Sequence, residues 1–177
     1  FNRTGPHYEG GHKPAVFNSN GPLKGHKRDL TEGGIRVPTI AWWPGTIKPG
    51  QDNPHVSAFW DLLATYTDLA GIQAPKNDGI SFAASLRGKK QKVHKYLYWE
   101  FHSYGGKQAI RMGKWKGIRK NTRKEANPAM ALYDLDADIG ETKNIAEQYP
   151  EIIKQLAAYM DEAHKPHPNY PFASDKN

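Results

Sequence analysis

The segment of residues 21–38, GPLKGHKRDLTEGGIRVP, has the composition of a constrained loop. Gly33 and Gly34 allow backbone dihedral angles or close approaches that a side chain would forbid. Pro38 restricts the residue before it to extended geometry, at the point where the apolar run of residues 39–43 begins. The pattern predicts an anion-handling loop that leads into a strand.

Cationic side chains are concentrated on this loop at Lys24, Lys27 and Arg28. The whole chain is also basic, with a formal net charge of +7 and a sequence pI near 9.5. Long-range attraction favours an anionic partner, and this charge balance is compatible with a nucleic acid, a sulfated glycan or neither. The basic residues between positions 111 and 124 are predicted to spread over both faces of strands and a loop, without a nucleic-acid-binding signature. We therefore expect a solvated face and no nucleic-acid partner.

The overall composition suits a packed globular chain. Its 177 residues, 37% hydrophobic and 11% aromatic, suffice for one core or for a small domain with a remnant of another. The chain contains no cysteine, which excludes disulfides and thiolate metal sites. A mean hydropathy of −0.80 and the lack of a long apolar run argue against a transmembrane helix, so we expect no membrane partner.

The first part of the chain contains one helical pattern. Apolar residues recur at helical spacing over residues 59–70, with Ser57 as the predicted N-cap and Gly71 as the stop. Together with the strand expected at residues 39–43, this helix is interpreted as a piece of a larger α/β layer whose partner strands lie upstream. Residues 74–95 are interpreted as a linker across the surface.

The second part shows strand patterns. Residues 96–101 alternate apolar and polar side chains, and residues 108–112 and 115–119 predict a hairpin through Gly113. Residues 130–135 supply a fourth strand.

A carboxy-terminal helix is predicted to begin at Pro150, because proline is favoured at the first helical position. Its apolar face is expected at Ile152, Ile153, Leu156, Ala157, Met160 and Ala163. Four antiparallel strands covered by this helix would bury a usable core. The fold class expected for the second part is therefore α+β.

Short motifs occur in a fixed order along nearly the whole chain. They are residues 5–11 (GPHYEGG), Lys27 with residues 32–38, residues 43–45 with 47–50, residues 61–65 with 69–72, residues 78–81, residues 114–116, and residues 132–135 with Gly140, Glu141 and Asn144. This order resembles the second half of the formylglycine-dependent sulfatases, the arylsulfatase-like branch of the alkaline phosphatase superfamily. The resemblance implies that residues 1–85 are the C-terminal portion of the sulfatase catalytic α/β domain. It implies that residues 86–177 are a small C-terminal α+β subdomain, a four-stranded antiparallel sheet packed with a helix.

The resemblance also implies roles for Lys27 and His7. Lys27 matches the lysine that binds the sulfate group in the family, where an ammonium neutralises charge on the ester oxygen as the bond to sulfur breaks. His7 would contact the sulfate or donate a proton, although a histidine hydrogen-bonded within its loop is an equal alternative. Independently of the resemblance, the Gly-rich loop of residues 100–107 contains Tyr104 and His102, a composition that suits glycan contact, so His102 is a candidate to reach toward a sugar; turn chemistry favours the alternative of a plain turn. No residue is assigned as a metal ligand.

Parts of the family pattern are missing. The family's nucleophile is a formylglycine made from a Cys/Ser-x-Pro-x-Arg motif, and no such motif occurs here. Arg3 and Thr4 stand where the family has an Asp-Asn metal-binding pair, and these side chains do not suit a hard cation. Residues 1–4 are therefore interpreted as a foreign, misassigned or truncated start. We expect the fragment to lack activity alone, and a missing N-terminal catalytic portion to supply the nucleophile and the ligands of a divalent cation, usually calcium.

The function expected from the resemblance is hydrolysis of sulfate esters, with a sulfated carbohydrate or aryl sulfate as substrate, in a periplasmic or secreted enzyme. A phosphatase or phosphotransferase of the same superfamily is one alternative. A non-catalytic glycan-binding or structural module is another, and a nucleic-acid binder is the third.

Overall fold

The computed structural model describes residues 14–176. These residues form two compact units, one of residues 14–36 with 98–176 and one of residues 37–97. The division of the whole protein at residues 85 and 86 stays a prediction. Across residues 14–176, no helix is both long enough and apolar enough to span a membrane.

The helices are α1 (Pro14–Phe17), α2 (Glu32–Ile35), α3 (Asp61–Ala70), α4 (Ala83–Leu86) and α5 (Pro150–Ala163), with 3-10 turns at Ala146–Gln148 and Ala173–Lys176. The strands are β1 (Leu97–Phe101), β2 (Lys107–Met112), β3 (Trp115–Lys120) and β4 (Met130–Asp134).

The unit of residues 37–97 is built around α3. Gly71 ends this helix in the left-handed conformation, with φ of 69°, as the sequence predicts. The prediction of Ser57 as the N-cap was wrong, because the helix begins four residues later at Asp61. The Asp61 carboxylate accepts hydrogen bonds from the backbone N–H groups of Ala58 and Ile80, each at 2.8 Å. These bonds hold residues 58–60 in a turn before the helix starts.

The strand predicted at residues 39–43 was also wrong. These residues have no regular secondary structure, and Trp42 is 84% exposed. A strand needs a hydrogen-bonded neighbour, and within residues 14–176 the only sheet is β1-β2-β3-β4.

The four strands form an antiparallel sheet in sequence order. The hairpin through Gly113 pairs Met112 with Trp115, and Gly113 has φ of 56°. The hairpin, the fourth strand and the helix after Pro150 are therefore confirmed, and with them the α+β class of the second part.

Helix α5 covers one face of the sheet. Its side chains Leu156 and Met160 are fully buried. Leu156 reaches the sheet where β3 carries Gly117, since a Cβ atom built on that glycine would lie 3.2 Å from a Leu156 methyl carbon and 2.5 Å from the sulfur of Met130 on β4. A side chain at position 117 would therefore hold the helix away from the strand.

The opposite face is covered by the segment that contains α2. Leu30 packs there with Ala109 of β2, Ile118 of β3 and Tyr133 of β4. The sheet is thus a middle layer, with α5 on one side and residues 23–36 on the other. The sequence pattern does not predict this second cover, because it suggests that the loop leads into a strand.

Candidate functional site

The loop that carries Lys27 is closed at its base by main-chain hydrogen bonds. Gly33 N–H donates to the carbonyl of Lys24 at 2.8 Å. The Asn20 side-chain amide donates to the carbonyls of Gly25, at 2.6 Å, and Gly33, at 3.0 Å. These bonds tie the two ends of the loop together, so Lys27 lies at the tip of a closed loop.

The glycine pair allows this closure. A Cβ atom built on Gly33 would lie 2.3 Å from the carbonyl oxygen of Gly25, and one on Gly34 would lie 2.1 Å from that of Asp29. Both distances are shorter than any real Cβ contact, and the atoms met are backbone atoms that do not yield easily. The prediction of close approaches at these glycines is confirmed, although they lie in the single helical turn α2.

Side chains of the sheet hold the outer part of the loop. Lys107 Nζ donates to Asp29 Oδ1 at 2.9 Å and to the carbonyl of Arg28 at 3.1 Å. Burial alone would raise the pKa of Asp29, but the hydrogen bond and charge of Lys107 outweigh it and lower that pKa. Arg28 has φ of 79°, and its guanidinium donates to the Tyr104 hydroxyl at 2.8 Å.

A buried ionic cluster lies beneath the loop. Lys116 of β3 is 0% exposed, and its Nζ lies 2.7 Å from Glu32 Oε1 and 3.1 Å from Glu141 Oε1. Glu141 Oε2 also accepts the backbone N–H of Glu32 at 2.6 Å. Arg36 and Arg111 lie 3.5 Å and 3.8 Å from the second Glu32 oxygen. The cluster thereby fixes the start of α2 to the sheet.

Burial has the largest effect on the pKa of Glu141, the second carboxylate of this cluster. Burial raises the pKa of Glu141, and Lys116 offsets only part of that effect. Lys24 Nζ donates to the Glu141 carbonyl at 2.8 Å, so the loop base and the cluster meet at one residue.

The sequence-predicted site residues have different positions. Lys27 is exposed in the turn at the loop tip. His102 lies just after β1, where its ring stacks on Phe172 with centroids 4.6 Å apart and its Nε2 lies 3.3 Å from a Glu100 carboxylate oxygen. His7 lies outside the described residues. Tyr104 contacts the Lys27 loop because its hydroxyl accepts the hydrogen bond from Arg28. His102 packs instead against the C-terminal segment, at Phe172.

Sequence reasoning missed the residues that position the loop. Glu32, Lys116 and Glu141 all belong to the motifs quoted above, but no role was assigned to them. A lysine in an apolar strand indicates a buried ion pair only when its partner is known, and the same holds for a glutamate before a glycine pair. The sequence alone does not give these partners. The basic residues of the hairpin are largely paired: Lys114 with Asp134, and Arg119 with Asp161.

No set of three or more His, Asp or Glu side chains that could hold a metal ion occurs in the part of the chain from 14 to 176. These residues alone therefore do not fit the calcium site that the resemblance implies for the whole enzyme.

Comparisons with known proteins agree with one another. A family model described as "N-sulphoglucosamine sulphohydrolase, C-terminal" matches residues 25–166. An N-acetylgalactosamine-6-O-sulfatase of Bacteroides thetaiotaomicron is 27% identical over 177 aligned positions, covering 89% of this chain and 34% of that protein. The N-acetylgalactosamine-6-sulfatase of Mus musculus is 32% identical, covering 86% of this chain and 35% of that protein.

The structural comparison gives the same result. The structure of Ps i-CgsB in complex with k-i-k-neocarrahexaose superposes with a TM-score of 0.70 and 26% identity. The match covers 80% of this chain and 32% of that one. The chain thus spans about a third of the length of these proteins, and its sheet, α5 and residues 25–38 of its loop fall within the range matched by the family model.

Proposed function

Because this chain belongs to the sulfatases, with a match to their N-sulphoglucosamine sulphohydrolase C-terminal family, we propose that it is the C-terminal portion of an enzyme that hydrolyses sulfate esters of carbohydrates. The two sulfatases compared above are named for an amino sugar sulfate, which supports this substrate class.

One observation carries the proposal: Lys27 is presented at the tip of a loop that the molecule holds in place from several sides. The loop base is closed by main-chain bonds to Gly33, and its outer part is tied to Lys107 of the sheet. A plain surface lysine requires none of this support. A preorganised ammonium stabilises a developing anion without a reorganisation cost during the reaction.

The chemistry proposed for Lys27 is charge neutralisation. As the bond between sulfur and the ester oxygen breaks, negative charge grows on the oxygens, and a compact ammonium within hydrogen-bond distance lowers the energy of that state. We keep His7 and His102 as proposed substrate contacts.

The remaining catalytic groups are proposed to come from a part of the enzyme outside this chain. The formylglycine supplies the nucleophile in this family, and calcium would polarise the sulfate.

Within residues 37–97, Ile40, Trp42, Phe59, Tyr66 and Ile72 are each more than half exposed. The number of exposed apolar side chains on this small unit supports the proposal that another part of the enzyme covers them. We propose that this part is the N-terminal catalytic portion. The fragment alone is therefore proposed to be inactive, and the whole enzyme to be periplasmic or secreted.

The test uses the whole enzyme that contains this chain. We expect turnover of a sulfated monosaccharide such as N-acetylgalactosamine 6-sulfate, and a loss of kcat of about 100-fold or more in Lys27→Ala. Lys154→Ala, which removes an exposed lysine on α5, is the matched control and should keep full activity. Equal activity of the Lys27 and Lys154 variants would refute the role of Lys27. Turnover confined to phosphate esters would instead favour the phosphatase alternative.

A further inference from the structure

The connection that follows α4 is strongly basic. Residues 87–95, RGKKQKVHK, contain five cationic side chains and no carboxylate, and no Asp or Glu occurs between Asp78 and Glu100. We call this segment the lysine loop. All five cations are exposed, namely Arg87, Lys89, Lys90, Lys92 and Lys95. A basic cluster of this density is typical of a surface that binds a polyanion, and a solvated face is the alternative.

Two side chains between these cations fasten the lysine loop to the unit of residues 37–97. The Gln91 side-chain amide donates to the carbonyls of Ser81, at 2.7 Å, and Lys92, at 2.8 Å. His94 Nε2 lies 2.8 Å from Asp61 Oδ1, at the first residue of α3. The lysines therefore project from a held segment and not from a free tail, so less conformational entropy is lost when a ligand binds them.

The fold does not use the ammonium groups of this loop. The end of α4 is capped by backbone, since the Ala84 carbonyl accepts the N–H of Lys89 at 2.8 Å. Within residues 14–176, the ammonium groups of Lys89, Lys90 and Lys92 form no ion pair. Unpaired lysines are almost never buried, because removing an ammonium from water is costly. We therefore expect the lysine loop to stay at the surface of the whole enzyme, where its charge is available to a ligand.

The chemistry of the loop favours a sulfated glycan over a nucleic acid. Proteins that bind single-stranded nucleic acids combine basic side chains with aromatic rings on which the bases stack. The lysine loop contains no aromatic residue. A sulfated polysaccharide needs no stacking partner, because its charge is carried by sulfate groups repeated along the chain. Ammonium groups that follow one another on a held loop are complementary to such a series of charges.

We propose that the lysine loop is a binding surface for a sulfated polysaccharide, and that it holds sulfated units of the polymer other than the one being hydrolysed. The inference rests on the proposed function, since the polymer is the substrate, and it adds that the enzyme takes a chain of sugars. The loop supplies electrostatic attraction, which speeds the encounter with a polyanion and weakens as salt is added.

The test measures heparin binding by the whole enzyme that contains this chain. The probe is a fluorescein-labelled heparin dodecasaccharide, read by anisotropy at about 50 mM and about 200 mM salt. The variant carries Lys89→Gln, Lys90→Gln and Lys92→Gln together, which leaves Gln91 and His94 in place. We expect its Kd to be about ten-fold higher than that of the wild type at the lower salt concentration, and the difference to shrink at the higher one.

The matched control removes the same amount of charge elsewhere. It replaces three exposed lysines, Lys143, Lys154 and Lys165, with glutamine, and its Kd should stay within about two-fold of the wild type. Equal weakening in the two triple variants would mean attraction by net charge only and would overturn the proposed surface. Unsulfated heparosan of the same length should bind weakly. Binding of heparosan as tight as that of heparin, or tighter binding of a single-stranded DNA dodecamer, would overturn the choice of a sulfated glycan.

A separate assay of the wild type distinguishes this proposal from the proposed function. It measures turnover of N-acetylgalactosamine 6-sulfate in the absence of heparin. Turnover together with heparin binding that the loop variant does not weaken would refute the binding surface alone. Heparin binding that depends on the lysine loop, without turnover of any sulfate ester, would refute the proposed function and would still support the surface.

Discussion

Lys116 and Glu32 form a buried ion pair, 2.7 Å long, between residues 84 positions apart in the sequence. The lysine belongs to the centre of the sheet and the glutamate to the first residue of α2. This pair, with Glu141, is a buried polar link between the sheet and the loop that presents Lys27, beside the link that Lys107 makes to Asp29. The stability of the sheet and the position of the loop are therefore coupled through a buried cation.

Replacing Lys116 with methionine should destabilise the chain strongly. The apolar side chain fills a similar space, but it leaves two carboxylates buried without their shared cation, which costs about 3–5 kcal/mol. The free energy of unfolding from urea titration measures this change. Lys154→Met on the exposed face of α5 is the control, and a loss below about 1 kcal/mol in Lys116→Met would contradict the role of the cluster.

Adding one methyl group at Gly33 should also be costly. The new Cβ would meet the Gly25 carbonyl oxygen at 2.3 Å, so the loop must open, and we expect a loss of about 3 kcal/mol in unfolding free energy. Gly21→Ala is the comparison, because Gly21 has φ of 53° but open space around its Cβ position. That variant should lose only about 1 kcal/mol from backbone strain. Equal losses in the two variants would argue against the close approach.

The contribution of His164 to stability should depend on pH. Burial lowers the pKa of His164, but the hydrogen bonds and charges of Glu100 and Asp175 outweigh it and raise that pKa above its ordinary 6.5. The pKa of Asp175 is lowered below 3.8, because its hydrogen bonds from Phe172 and His164 outweigh its burial. The histidine contribution is thus full below pH 6.5 and is lost as the pH rises through the raised pKa. The aspartate contribution is present above pH 3.8 and is lost at lower pH.

The measurement is the unfolding free energy of wild type and His164→Asn at several pH values. The difference between them should be largest near about pH 5.5 and should shrink by about pH 8.5. His167→Asn, at an exposed histidine of the same segment, is the matched control variant. Parallel curves for wild type and His164→Asn would contradict a charged His164.

Lys107→Met tests whether the loop must be held for catalysis. The change removes the bonds from Nζ to Asp29 and to the Arg28 carbonyl, at a cost of about 1–2 kcal/mol in stability, because the pair is only partly buried. In the whole enzyme we expect kcat to fall about ten-fold with KM changed less, since a displaced Lys27 stabilises the transition state poorly. Unchanged kcat would mean that the loop keeps its position without Lys107. Lys114→Met, which breaks an exposed pair with Asp134, is the control for activity.

The sequence alone determined the local elements of the C-terminal half. The alternating strand pattern, the hairpin at Gly113 and the helix start at Pro150 were predicted from neighbouring residues only. The structure confirms all three predictions. The order of motifs was also enough to identify the family. The glycine pair at positions 33 and 34 was correctly expected to permit close approaches, because only glycine lacks the Cβ atom that would prevent them.

Only the tertiary structure decided which distant residues meet. The strand expected at residues 39–43 does not form, since a strand requires a neighbour and local propensity cannot supply one. The cluster of Glu32, Lys116 and Glu141 joins segments far apart in the chain. Burial and ion pairing depend on what lies across the fold. A single sequence gives the charges but not their partners, and so the support of the loop became visible only in the tertiary structure.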